Sequence, residues 1–306
     1  MVKTKNSLKK VCFIGLGVMG GPIIKNIVKD DLDLMVYDID PKKRETWRSE
    51  GFSCPNSQEV AAKGANIVFT ILPTSEAVES AIFNENTNSK SVINSVAKGC
   101  IFIDMTTGSI SKLLELNRRL GALGHRLIDA PVGRSPREAK AGKSLIMAGG
   151  DQKDIEIVRP IFQSFADTIV HVGEIGDGLR LKLVNNYMAM VNHVLTGEVL
   201  SFAKSVGLDR NITVDVLSTT AAGKGQLLTN FPQKVLVGDI SPDFSIKMGI
   251  KDLNMALELA SNSNFDPKFG QLSLKIFSNA TEFGMGDQDC TAILNYFNKV
   301  SIKTSK

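Results

Sequence analysis

One stretch constrains the fold of this chain more than any other. A short apolar run, Val11-Cys-Phe-Ile14, passes directly into Gly15-Leu16-Gly17-Val18-Met19-Gly20 and then into a helix-forming segment with Pro22 in its first turn. The order reads as buried strand, glycine turn and helix, the helix running through about Lys29. The three glycines differ in what they permit. Gly15 allows the tight turn, Gly17 allows close backbone approach to a pyrophosphate, and Gly20 allows close helix-strand packing. The helix N-terminus offers N–H groups and partial positive charge to phosphates. A plain tight turn is the simpler alternative, but the position between strand and helix is the one the dinucleotide-binding pattern requires.

A second strand, Leu34 to Asp38, ends in an acid eighteen residues after Gly20. That placement suits a carboxylate accepting hydrogen bonds from the adenosine ribose hydroxyls. NAD is favoured over NADP, whose 2′-phosphate would meet Asp38 with like charge; Lys42, Lys43 and Arg44 nearby are the reservation. Alternatively, Asp38 and Asp40 open the turn before Pro41 and cap the next helix. Alternation continues with a strand at Asn66 to Leu72, helices at Ser75 to Phe83 and near Lys90 to Ala97, and a strand at Cys100 to Asp104. Such alternation predicts a Rossmann-type, doubly wound parallel α/β sheet. The strand-end loops Leu72-Pro73-Thr74 and Asp104 to Ser109 then face the cofactor, with Thr74 and Thr107 as hydroxyl donors or, equally, as turn and cap residues. Ser109 and Ser111 suit the cap of a helix at Lys112 to Leu120.

Downstream, a strand ends at Asp129-Ala-Pro-Val132 and opens into Gly133, Arg134 and Ser135. A glycine N–H, a hydroxyl and the planar donor fork of an arginine suit an anion; a solvated Arg beside a turn is the alternative. After a strand near Thr168 to Val172 comes a long helix, about residues 177–206. On it Lys182, Asn185 and Asn186 stand at i, i+3 and i+4, so an ammonium and two amides share one face. Leu181, Leu183, Val184, Tyr187, Met188 and Met190 cover most of the rest, which predicts a buried helix whose polar stripe lines a cavity or cleft. Snorkelling of Lys182 to the surface is the alternative. Beyond Gly207 the periodicity is almost wholly helical: Thr213 to Thr220, Gln226 to Phe231, Ile246 to Ser261, Phe269 to Phe283 and Asp289 to Val300. The expected organisation is a nucleotide-binding domain at 1–173 and an all-helical domain at 174–306, joined by the Lys182 helix.

Charge and cysteines narrow the function classes. The net charge of +4 comes from the ends: setting aside Lys3, Lys5, Lys9, Lys10, Lys299, Lys303 and Lys306 leaves 29 of 36 basic residues against 32 acidic ones. No nucleic-acid surface is indicated. Cys12, Cys54, Cys100 and Cys290 show no paired spacing and only three histidines occur, so neither a disulfide framework nor a metal site is expected. No stretch reaches membrane-spanning length, the first apolar run is too short for a signal sequence, and a reducing cytoplasm is the expected compartment.

Four ordered motifs, Gly15-Leu-Gly-Val-Met-Gly20, Asp129-Ala-Pro-Val132 with Gly142 to Gly150, Gly178-x-x-x-Lys182-x-x-Asn185-Asn186, and Lys251-Asp252, together resemble the β-hydroxyacid dehydrogenase family over nearly the whole chain. The resemblance implies an NADH-dependent oxidoreductase with Lys182 as general acid/base. It makes Asn185 and Asn186 its orienting partners and sends Lys251 toward the nicotinamide end. Spacing alone makes Lys224 and Lys251 surface residues. Imine reductases of related fold replace the lysine, which favours carbonyl chemistry here; 6-phosphogluconate dehydrogenases have a longer helical domain than this chain allows.

Most members of the family carry Ser-Gly-Gly where this chain has Gly133, Arg134 and Ser135. That departure, with Asn-Asn-Tyr at 185–187 and Thr-Ala-Ala-Gly-Lys-Gly at 220–225, is similar to the branch that reduces a sulfonated aldehyde. Arg134 is then the sulfonate ligand, since a guanidinium can give two charge-assisted bonds. The implied substrate is a small anionic aldehyde or its alcohol, and the implied assembly a homodimer or homotetramer. Another short acid semialdehyde, or a non-catalytic dinucleotide sensor, are the alternatives.

Overall fold

A computed structural model describes residues 9–27, 32–83 and 91–303. The expected helix end at Lys29, the helix start at Lys90 and the charged ends at Lys3, Lys5 and Lys306 lie outside the described residues. The chain divides into two compact units, Met1–Tyr187 and Met188–Lys306. The division falls inside the long helix at Asp177–Ser205.

The first unit is built on β1 (Lys9–Ile14), α1 (Gly20–Ile27), β2 (Leu32–Tyr37), α2 (Pro41–Ser49), α3 (Gln58–Ala61), β3 (Ile67–Thr70), α4 (Ser75–Phe83) and β4 (Ile101–Asp104). It continues with α5 (Ile110–Ala122), β5 (Arg126–Asp129), β6 (Val132–Gly133), α6 (Pro136–Lys140), β7 (Ser144–Gly149), α7 (Gln152–Phe162), β8 (Ala166–Gly173) and the start of α8 (Asp177–Ser205). The strands lie in the order β2-β1-β3-β4-β5-β7-β6, with β8 beside β7. Pairings from β2 through β5 are parallel.

Period-two alternation explains why both faces of this sheet are covered. From β1, Val11 and Phe13 enter one apolar cluster with Ile23, Ile24 and Ile27 of α1 and Phe162 of α7. Cys12 and Ile14 enter a second cluster with Val78 of α4 and Leu113, Leu116 and Leu120 of α5. Helices therefore pack on both sides, the doubly wound Rossmann-type arrangement. The far edge is less regular: β7 runs antiparallel to β5 and β6, meeting β5 only at Asp129 and Gly149. The helix α7 has no counterpart among the elements expected from the sequence. Because β1 has neighbours on both sides reached by opposite crossovers, a crevice opens outside the carboxyl ends of β1 and β3.

The second unit contains the end of α8, then α9 (Arg210–Thr219), α10 (Ala221–Lys224), α11 (Ile246–Asn262), α12 (Lys268–Ala280) and α13 (Ile293–Lys303). Its small core gathers Ile246, Ala280, Met285, Ala292 and Tyr296. The helix expected at Gln226 to Phe231 is instead a run of turns leading to a 3₁₀ turn at Phe231–Gln233. Gly225, with φ of 94°, ends α10, and Pro232 removes a donor and disfavours helical angles at Phe231. The helix expected through Phe283 closes at Ala280 and passes into a π-turn at Thr281–Met285, where Gly284 has φ of 82°. Among the described residues no helix is long and apolar enough to cross a membrane.

Candidate active site

The glycine loop joins β1 to α1 as its spacing requires. Gly15 has φ of 114° and its N–H donates to Tyr37 O (2.9 Å), tying the turn to the end of β2. A Cβ on Gly20 would lie 2.0 Å from Gly15 O, so this glycine is what allows α1 to start against the turn. A Cβ on Gly17 would meet nothing within 4 Å, which leaves the loop backbone open to a ligand.

Asp38, at the end of β2, is 7 % exposed. Its Oδ2 accepts the Leu16 N–H (2.9 Å) and lies 3.3 Å from Lys43 Nζ, while Oδ1 accepts the Asp40 N–H (2.9 Å). A carboxylate has about four acceptor sites, so one is left even with Lys43 in place. The cap of α2 is Asp40, whose side chain accepts from Lys42 N, with Pro41 opening the helix. The capping role is thus carried by Asp40, and Asp38 instead fastens the glycine loop to β2.

A cleft of about 360 Å³ lies over this loop. Its walls are Gly15, Gly17, Val18, Met19, Gly20, Asp38, Lys43, Ile71, Leu72, Pro73, Met105, Thr106, Thr107, Val132, Arg134 and Lys182. An adjoining cavity of about 510 Å³, walled by Ile14, Tyr37, Ile39, Ala77 and Ala81 among others, shares Asp38, Lys43, Leu72 and Pro73 with it. A carboxylate thus stands between a phosphate-suited glycine loop and a slot with an apolar wall and a polar one, the latter from Asn56, Ser57, Gln58, Glu59 and Ser80. An acceptor for ribose hydroxyls between a pyrophosphate site and a slot for a ring suits a dinucleotide. Leu16 serves through its backbone and is buried.

The wall residues are held from behind. Asp104, 7 % exposed at the end of β4, accepts from Thr70 Oγ1 (2.9 Å) and the Thr106 N–H (3.0 Å), and Thr106 Oγ1 accepts the Leu72 N–H (3.0 Å). Burial pushes the Asp104 carboxyl up to about 6, against the opposing pull of those hydrogen bonds and with the neighbouring Asp129 charge adding to the rise. A carboxyl raised above its unfolded value of about 3.9 binds its proton more tightly when folded. Its stability contribution is complete below that value and is lost as pH rises through about 6. Asp104→Asn removes the titration. In urea unfolding, wild type should therefore gain on the variant by up to roughly 3 kcal/mol between pH 7 and pH 4. A pH-independent difference would remove Asp104 as the source.

Lys182 stands in the second turn of α8 and is half-buried at the cleft wall. It has no ion-pair partner among the described residues, and burial alone draws its pKa below the usual lysine range. Asn185 and Asn186 follow on the same helix face, with Asn185 Nδ2 donating to Asn186 Oδ1 (3.2 Å), but neither lines the cleft.

Of the expected anion loop, only Arg134 reaches the cleft. Gly133 is buried in β6, where a Cβ would press on Leu145 and Met147 at 3.3–3.4 Å. Ser135 caps α6 through a reciprocal box with Glu138. The left-handed backbone falls on Arg134 (φ 70°), the position where the family resemblance expects glycine. Its Nη1 donates to Lys143 O and Asp167 Oδ1 (both 2.6 Å) and its Nη2 to Thr168 Oγ1 (3.2 Å). Thr74 also turns to local work, its Oγ1 accepting the Ala77 N–H (3.2 Å) at the start of α4, whereas Thr107 lines the cleft. Lys251 lies on α11 of the second unit, paired with Asp252 at 3.2 Å.

Met105 and Thr106, in the loop after β4 that the strand-end rule turns toward the cofactor, line the cleft, as do Ile71 after β3 and Val132 at the start of β6. The apolar pattern of α8 predicts a buried helix, yet Tyr187 is 74 % and Val184 65 % exposed in the single chain.

Glycine loop and ribose-suited carboxylate at one cleft, with Lys182 on its wall, fit a dinucleotide-binding oxidoreductase, and the family matches make it an NAD-dependent oxidoreductase acting on a hydroxyl group. The NAD binding domain of 6-phosphogluconate dehydrogenase matches residues 10–173, and the NAD-binding domain of NADP-dependent 3-hydroxyisobutyrate dehydrogenase matches residues 176–297. A 3-sulfolactaldehyde reductase of Escherichia coli (strain K12) is 33 % identical over 97 % of this chain and 98 % of its own. A 2-(hydroxymethyl)glutarate dehydrogenase of Eubacterium barkeri is 26 % identical over 95 % of this chain and 96 % of its own. The solved 3-hydroxyisobutyrate dehydrogenase of Mycobacterium tuberculosis with L-serine shares the fold, with a TM-score of 0.64 at 24 % identity, covering 95 % of this chain and 99 % of that one. This chain belongs to the β-hydroxyacid dehydrogenase family, in its 3-hydroxyisobutyrate dehydrogenase-like group, and its cofactor is NAD(H).

Proposed function

We propose that this enzyme is an NADH-dependent reductase of 3-sulfolactaldehyde, producing 2,3-dihydroxypropane-1-sulfonate in the cytoplasmic breakdown of sulfoquinovose. The observation that carries the reading is that Arg134 and Lys182 line one cleft with the glycine loop. The 33 % identity to a 3-sulfolactaldehyde reductase over nearly full length supports it. Bound NADH supplies the hydride. Lys182 Nζ gives its proton to the carbonyl oxygen, so that the developing alkoxide leaves as the alcohol. Asn185 and Asn186, on the same face of α8 as Lys182, orient the lysine.

The sulfonate falls to Arg134. Of its five N–H donors, three are engaged with Lys143, Asp167 and Thr168, which leaves Nε and one Nη2 proton for an anion. The Asp167 pairing also favours a second reading, because a guanidinium already partly neutralised suits a carboxylate semialdehyde as well as a sulfonate. The test compares kcat/KM for 3-sulfolactaldehyde with succinic, tartronate and methylmalonate semialdehydes, in wild type and Arg134→Ala. Loss of charged hydrogen bonds worth ~1.5–3 kcal/mol should lower sulfonate turnover about 10- to 10²-fold and leave the carboxylates less affected. Unchanged sulfonate turnover in the variant would take the role from Arg134, and a carboxylate preference in wild type would return the substrate to the wider family. The exposed apolar side chains of α8, among them Val184, Tyr187 and Met190, support a homodimer or homotetramer.

A further inference from the structure

The Asp129 motif and the Lys182 motif, far apart in sequence, meet at the start of α8. Asp129, 1 % exposed at the end of β5, has Oδ1 2.7 Å from the Gly176 N–H and Oδ2 2.7 Å from the Leu179 N–H. One carboxylate therefore binds two of the N–H groups that a helix start leaves unpaired, with the favourable sign for that end of a helix. The approach is possible only because the residues around it lack side chains. A Cβ on Gly178 would lie 2.2 Å from Met147 O and 2.8 Å from Asp129 Oδ2, and one on Gly149 would lie 2.5 Å from Asp129 Oδ1. Gly178 and Lys182 are four residues apart and so occupy the same side of α8. Three residues beyond Asp129, Val132 lines the cleft that Lys182 also lines.

We infer that Asp129 is the positioning residue for Lys182: by clamping the Gly176 and Leu179 amides it sets the height and rotation of α8's first turn against the β5 end, and thereby where the ammonium stands in the cleft. The inference rests on Lys182 as the proton donor. Displacing a reacting group by ~1 Å costs about 10²-fold in rate, and an Asn at 129 retains one acceptor of the two. Asp129→Asn should therefore lower kcat about tenfold or more while KM for NADH stays within about twofold.

The experiment is a double-mutant cycle with Lys182→Ala, read by kcat, KM for NADH and amide exchange of the intact enzyme. In the Lys182→Ala background, Asp129→Asn should change kcat by less than about twofold, because the group it positions is gone. Equal losses in both backgrounds, or an unchanged kcat in the Asp129→Asn single variant, overturn the inference. Retained kcat in Lys182→Ala alone would instead overturn the role of Lys182, a separate result. Wild-type amides of Gly176 and Leu179 should be protected. Fast exchange at both overturns the clamp even where Asp129→Asn does not fold.

Discussion

Lys182→Ala should lower kcat by about 10²–10⁴-fold, the usual worth of a positioned acid, while NADH binding stays within about twofold of wild type. The expectation follows from what surrounds the ammonium. It is half-buried at the wall of the cleft, with no carboxylate paired to it among the described residues, and burial draws its pKa down from the ordinary lysine value. A lysine that only snorkels gains nothing from that position. A proton donor does, because a lowered pKa eases transfer to the alkoxide. The sign of the pH dependence follows. With Lys182 as the proposed donor, reduction draws on its protonated form, so kcat/KM should fall on the alkaline side, with its midpoint below the ordinary value of about 10.4. In Lys182→Ala that limb disappears. Steady-state kinetics with any short anionic aldehyde, beside a fluorescence titration of NADH, separates the two effects. Full turnover in the variant would move the chemistry to another group, and tight NADH binding with no turnover in wild type would favour a dinucleotide sensor.

Features local in sequence were the legible ones. Strand, three glycines and helix lie within about one turn of their partners, so spacing alone determines which glycine is crowded and which is open. Asp38 was readable as the acid at the end of β2, and Asp40-Pro41 as a helix start. For Ser135 and Thr74 a local signal outweighs the ligand role, and for Thr74 that capping role is the alternative the sequence itself offers. Ser135-Pro-Arg-Glu138 has the spacing of a capping box with proline at the first helical position, and the Ser135 hydroxyl is spent there. Thr74 likewise precedes α4 and bonds Ala77. Other features needed the third dimension. Asp167, 33 residues from Arg134, claims part of its guanidinium, and nothing in the intervening sequence marks the pair. The antiparallel edge depends on single register pairs such as Asp129 with Gly149. The apolar face of α8 was legible as apolar, but pattern cannot say whether its cover comes from the same chain or another.

The glycine loop supplies a second large effect, because Gly17 and Gly20 should fail in different ways. A Cβ at Gly17 meets nothing within 4 Å, and its backbone angles lie outside the left-handed region. Gly17→Ala should therefore keep the wild-type Tm. It should weaken NADH binding by about 10²–10⁴-fold, since two charge-assisted bonds from the loop amides to the pyrophosphate, each worth ~1.5–3 kcal/mol, are held off by the new methyl group. At Gly20 the methyl group would sit 2.0 Å from Gly15 O and 2.9 Å from Ile71 Cγ2, and Gly15 has little room to yield, since a Cβ of its own would be 2.2 Å from Ile71 O. Helix and turn must separate, at a cost on the order of 3 kcal/mol, the upper end for overpacking. Gly20→Ala should thus lower Tm by about 6–12 °C with or without cofactor present. Calorimetry of both variants, with and without NADH, reads the distinction. Cofactor-dependent stabilisation should vanish in Gly17→Ala and survive, on a lower base, in Gly20→Ala. Wild-type NADH affinity in Gly17→Ala would mean that the pyrophosphate does not lie on this loop, and would take the ribose from Asp38 with it.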